Sequence, residues 1–147
     1  MDINKQMIED IIREVLREEC GGQKPDGRQI DPSGVIGIDP DKLKLEQFPF
    51  PIGTDRVLLV DAVSLEESPR LGIGVMEMDH TSFEWTLTYD EFDYVVEGTL
   101  EIIIDGRPVT AKAGQIIFIP KNTHITFSTP DKTRFIYVCY PANWSEQ

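Results

Sequence analysis

Two cysteines and two histidines are all that this chain carries of each, and the scarcity narrows its chemistry at once. Cys20 closes a helix-like segment beside a glycine pair, whereas Cys139 lies in the apolar run Phe135-Ile136-Tyr137-Val138-Cys139. So placed, they read as free thiols in a reducing compartment, not as a disulfide framework. Basic residues are also few: 14 Lys and Arg face 26 Asp and Glu, for a net charge of −12. None lies between Arg70 and Arg107, where nine acids do. Such a surface repels a phosphate backbone, so nucleic acid is not an expected partner. No apolar run approaches the roughly 18 residues that cross a bilayer, so no membrane partner is expected. The start Met1-Asp2, soon broken by charges, does not read as a secretory signal. A cytoplasmic protein, or one held inside a cytoplasmic body, is expected. A Walker-type phosphate loop is missing too, and Leu71-Gly72-Ile73-Gly74 is too short a glycine signal to replace one.

What is present divides into three parts. Residues 2–19 carry Ile3, Met7, Ile8, Ile11, Ile12, Val15 and Leu16 at helical period, with Asp2 or Asn4 to cap the start and Gly21-Gly22 to end it. A helix of that length, about 27 Å, is marginal alone in water and needs a surface for its apolar stripe. Residues 21–41 turn to Gly, Pro, Asp and Ser, which predicts a flexible linker. From residue 42 to 147 the pattern is strand after strand: Val57–Val63, Leu71–Met78, Phe83–Leu87, Phe92–Val96, Thr99–Ile104, Arg107–Ala111, Gln115–Ile119, His124–Phe127 and Arg134–Tyr140. Asp105-Gly106 suits a type I′ turn and makes the clearest hairpin, while Glu97-Gly98 reads as a further turn between strands. The hydrophobic fraction of 40% can supply one core. Many short strands with tight turns predict an all-β sandwich, jelly roll or barrel, preceded by the amphipathic helix.

The run Trp85-Thr86-Leu87-Thr88-Tyr89-Asp90-Glu91, followed after six residues by Gly98, resembles the first cupin motif, G-x5-H-x-H-x3-4-E-x6-G. Gly114-Gln115-Ile116-Ile117-Phe118-Ile119-Pro120 resembles the opening of the second, G-x5-P-x-G-x2-H-x3-N. The fold implied is the double-stranded β-helix, a jelly-roll barrel. Cupins usually hold a metal with three histidines and a glutamate, and those histidine positions fall here on Trp85, Leu87 and Ile125. Indole and alkyl groups give no lone pair to a metal, and only Glu91 remains. His124 is one residue from the expected place, which on a strand is the opposite face; His80 sits in a polar loop. No tightly bound Zn, Fe or Mn is expected. More narrowly, Trp85-Thr86-Leu87, Tyr89-Asp90-Glu91, Phe118-Ile119-Pro120-Lys121 and the ending Tyr140-Pro141-Ala142-Asn143-Trp144 resemble the ethanolamine utilisation protein EutQ family. That resemblance implies a homodimeric cytosolic cupin working with a bacterial microcompartment. It also implies an ATP-dependent acetate kinase activity and a part in microcompartment assembly.

If Glu91 faces the barrel interior, strand alternation sends Asp93 inward as well. A buried carboxylate pair must be paired, hydrogen-bonded or partly protonated, and Tyr89 could donate to it; equally, Asp93 could sit hydrated at the barrel mouth. Glu91, Asp93 and Tyr89 are therefore the candidate pocket residues. Phosphoryl transfer would require Mg-ATP on those carboxylates, with Lys121 or Arg134 at the phosphates. Three functions follow. The helix could join a shell or cargo protein, as encapsulation peptides do, or dock on its own barrel or dimer mate. The barrel could be an acetate kinase. A metal-dependent cupin enzyme is the third, and the replaced histidines weigh against it.

Overall fold

The computed structural model describes residues 5–20, 26–48 and 56–144. Two compact units divide the chain, residues 1–43 and 44–147.

In the first unit, helix α1 spans Lys5–Cys20. Its apolar residues Met7, Ile8, Ile11, Ile12 and Val15 are all exposed, between 37% and 52%. Lys5 and Glu9 pair at i, i+4 on the polar face. Ile3, both proposed start caps and Gly21-Gly22 lie outside the described residues, as do the side chains of Glu14, Leu16 and Arg17. Within the segment predicted to be a plain linker, β1 (Arg28–Ile30) and β2 (Ile36–Ile38) pair as an antiparallel hairpin. The turn residues are where composition put them. The Asp31 carboxylate accepts the Ser33 N–H, and the Asp31 carbonyl accepts that of Gly34. A turn cluster can close a short hairpin as readily as it can interrupt structure, and Ile30, Ile36 and Ile38 supply the β-branched residues on either side. A single 3₁₀ turn, Pro40–Lys42, follows, capped by the Asp39 side chain.

The second unit is one curled antiparallel sheet. Its strands are β3 (Glu46–Gln47), β4 (Val57–Asp61), β5 (Gly72–Asp79), β6 (Ser82–Leu87), β7 (Asp90–Ile104), β8 (Arg107–Lys112), β9 (Ile116–Ile119), β10 (Thr123–Ser128) and β11 (Lys132–Tyr140). The hydrogen-bonded path runs β3-β4-β5-β11-β7-β10-β6, with β8 and β9 also on β7. β7 organises the fold because its first half pairs with β11 and β9, and its second half with β8 and β10.

Glu97-Gly98, expected to be a turn, is instead a bend inside that continuous strand. Gly98 takes φ +75°, and the register against β11 shifts by one between Arg134 and Phe135. Extra residues of this kind bend a strand and raise its twist, which lets one strand serve both walls of a barrel. The true turn at Asp105-Gly106 has both residues at positive φ, 49° and 75°, as a type I′ hairpin requires.

Alternation decides what the curl encloses. Val57, Met78, Leu87, Val95, Leu100, Ile102, Ile125 and Phe135 are each 2% exposed or less. Burying a side chain of this size stabilises by about 1.5–3 kcal/mol.

Candidate functional site

Leu87 and Ile125, two of the positions where a histidine was sought, point into the barrel and are fully buried. Trp85 pairs with Ile125 across β6 and β10 and packs on the core. His124 faces the other way: its ring meets the Thr86 hydroxyl at 2.8 Å and the Glu84 carboxylate at 3.7 Å on the exposed side. His80 is exposed beside Asp79. Among the described residues no three His, Cys, Asp or Glu side chains come together as a metal-binding group. The donors present do not fit a transition-metal centre of the cupin kind.

Glu91 and Asp93 lie on the inner face of β7. Cys139 and Tyr137 of β11 stand directly opposite them on one side, Ile119 and Ile117 of β9 on the other. Glu91 is 6% exposed and Asp93 is 0% exposed, so Asp93 is not the hydrated carboxylate at a barrel mouth that the sequence left open. No N–H or O–H donor of the described residues reaches either Asp93 oxygen. A hydrogen bond between the two carboxyls remains, and it requires a proton on one of them. Burial is the main reason both carboxyls resist ionisation. It pushes Glu91 up to about 7, against a smaller downward pull from the bond to Asp93. Asp93 is raised well above the carboxylate range by burial and then by the charge of Glu91.

Tyr89 does not donate to this pair. Its hydroxyl accepts the Trp85 Nε1–H at 2.8 Å, and burial, then the charge of Glu91, raises its pKa. Tyr137 is bound away as well, donating to Asp61 at 2.8 Å. Above Glu91 an aromatic-walled cavity opens, lined by Phe48, Trp85, Tyr89, Tyr137 and Trp144 among others. It holds about 350 Å³ of space including its open mouth, while the enclosed part has room only for a group of a heavy atom or two. Trp144 and Phe48 form this wall from opposite ends of the unit, with ring centroids 6.4 Å apart. Sequence reasoning left Phe48 out entirely, for it precedes a proline in a segment without strand periodicity.

The proposed phosphate ligands do not join this site. Arg134 alternates with the buried Thr133 and Phe135, so it faces outward, where it forms a salt bridge with Glu77. Lys121 is exposed, its backbone N–H donating to Asp90, and its side chain does not line the cavity.

A curled antiparallel sheet with this motif spacing is the cupin architecture. The cupin domain of Schizosaccharomyces pombe Cnp3 superposes with a TM-score of 0.59 at 14% identity, covering 71% of this chain and 73% of that one, a likeness of fold alone. The profile of the family described as ethanolamine utilisation protein EutQ matches residues 3–146, and the chain belongs to that family. It is 49% identical to the acetate kinase EutQ of Clostridioides difficile, over 99% of this chain and 97% of that protein. The Clostridium difficile EutQ structure superposes with a TM-score of 0.79 at 50% identity, covering 84% of this chain and 93% of that one. The acetate kinase EutQ of Salmonella typhimurium is 37% identical over 95% of this chain, which spans only 61% of that relative's length. The protein is thus a cupin-fold member of the ethanolamine utilisation protein EutQ family.

Proposed function

We propose that this protein is a metal-free cupin that acts with a bacterial microcompartment, its N-terminal helix docking on a shell or cargo protein. The observation that carries this reading is the exposed stripe of Met7, Ile8, Ile11, Ile12 and Val15 on α1. An apolar stripe on a helix this short gains little in water and much on a partner surface. Each isoleucine buried there would contribute about 1.5–3 kcal/mol before ordering costs. The decisive experiment follows the full chain, fused to a fluorescent protein, in cells making the shell. Wild type should concentrate in the microcompartments, and Ile11→Glu with Ile12→Glu should be diffuse while the barrel stays folded. Unchanged localisation of that double variant would exclude the helix as the docking element.

A homodimer accompanies this reading. Phe92 pairs with Phe118, and Tyr94 with Ile116, on the outer face of β7 and β9, and all four are exposed. An apolar patch on a strand pair of this kind fits a second copy of the same face.

Acetate kinase is a second reading, favoured by the name carried by the relatives in Clostridioides difficile and Salmonella typhimurium and by the Glu91–Asp93 pair. Mg²⁺ takes oxygen ligands and retained waters, so these carboxyls are where Mg-ATP would be held. Phosphoryl transfer by the purified chain should fall at least tenfold in both Glu91→Gln and Asp93→Asn. Activity indifferent to the two changes would remove the barrel interior from that chemistry.

A further inference from the structure

The buried carboxyl pair is incompletely explained by the barrel around it. Facing Glu91 are Tyr89 from the bend just before β7, Asp93 from β7 itself, and Tyr137 and Cys139 from β11, with Asp61 of β4 behind Tyr137. Every one is acidic or neutral. Among the described residues no Lys, Arg or His lines the cavity, and none offers a donor to either oxygen of the fully buried Asp93 apart from the Glu91 carboxyl. A fold without need of this pair would place apolar side chains here, since carboxyls are costly to bury without a counterpart.

We propose that the aromatic-walled cavity above Glu91 binds a small primary ammonium ion, the positive group that the carboxyl pair lacks. This rests on neither the docking nor the kinase reading. Three features select the ligand class. Glu91 supplies the anionic floor, and Tyr89 keeps an oxygen lone pair for an N–H, since its other partner is the Trp85 indole. The indoles of Trp85 and Trp144, 5.9 Å apart, and the ring of Phe48 offer π faces to a weakly hydrated cation. The enclosed space accepts an ammonium head with a short alkyl tail toward the mouth. The long basic-free stretch around Glu91 and the net charge of −12 favour a cation's approach.

The test is calorimetric titration of the full chain at pH 8 with ethylammonium chloride, set against ethanol, which has the same shape without the charge, and against NaCl and MgCl₂ at matched ionic strength. Ethylammonium should bind saturably, quench tryptophan fluorescence and release protons when measured in two buffers of different ionisation enthalpy. Affinity should drop at least tenfold at pH 5.5, and at least tenfold in Glu91→Gln, an isosteric change whose folding is checked by circular dichroism. Asp93→Asn, with weakening of at least tenfold also expected, serves if Glu91→Gln does not fold. Ethanol, Na⁺ or Mg²⁺ binding as well as ethylammonium would overturn the proposal, as would no saturable binding, or affinity unaltered in the variants.

Discussion

Asp93 sits where strand alternation demands an inward side chain and where an apolar one would serve the fold better. Its pairing with Glu91 has a sign that stability measurements can read. The Glu91 carboxyl rises from its ordinary 4.5 to about 7 on folding, so the native state holds a proton that the unfolded chain has released between those values. Stability is therefore fully present below about pH 4.5 and is lost as pH rises through about 7. At about 1.4 kcal/mol per pH unit, the loss by pH 8 is on the order of 3 kcal/mol. Urea unfolding at pH 5 and pH 8 should show this fall, and Glu91→Gln should flatten it. A wild-type midpoint that rises over the same interval would mean that the pair is ionised in the native barrel.

One level up, the elements owe their shape to a few backbone positions. Gly98 and Gly106 share a φ of +75°, but their surroundings differ. A β-carbon on Gly98 would collide with the Lys132 carbonyl, while one on Gly106 would meet nothing within 4 Å. Gly106→Ala should cost only the left-handed backbone strain, about 1–2 kcal/mol. Gly98→Ala adds displacement of β11 and should lose at least twice as much, read as chemical-denaturation midpoints. Equal losses in the two variants would show that the bend in β7 tolerates adjustment. For α1, removal of residues 1–20 should leave the strand signal in far-UV circular dichroism intact. A loss of that signal would mean the helix is needed for the barrel to fold.

At the scale of the molecule, the exposed Phe92, Tyr94, Ile116 and Phe118 gather because β9 lies beside the first half of β7. Phe118→Asp places a charge in that patch, and light scattering should find monomers where the wild type gives dimers. A wild-type monomer, or a variant that still dimerises, would send the search for the contact elsewhere. The same scale explains which chemistry stays apart. Arg134 and Glu91 lie on neighbouring strands, yet the sheet separates them, one on each face.

Local periodicity and turn chemistry were enough to place nearly every barrel strand, the Asp105-Gly106 hairpin and the α1 stripe, because each is written in neighbouring residues. The inward direction of Trp85, Leu87, Glu91 and Ile125 followed from motif spacing for the same reason. Sequence could not decide whether Glu97-Gly98 ended a strand or bent one, since a glycine at positive φ serves both, and only β11 opposite it chose. Nor could it tell that Asp93 is sealed from water, that Phe48 and Trp144 meet, or that Arg134 is turned away from the pair. Those are distances between segments far apart in the chain, and they exist only once the sheet has curled.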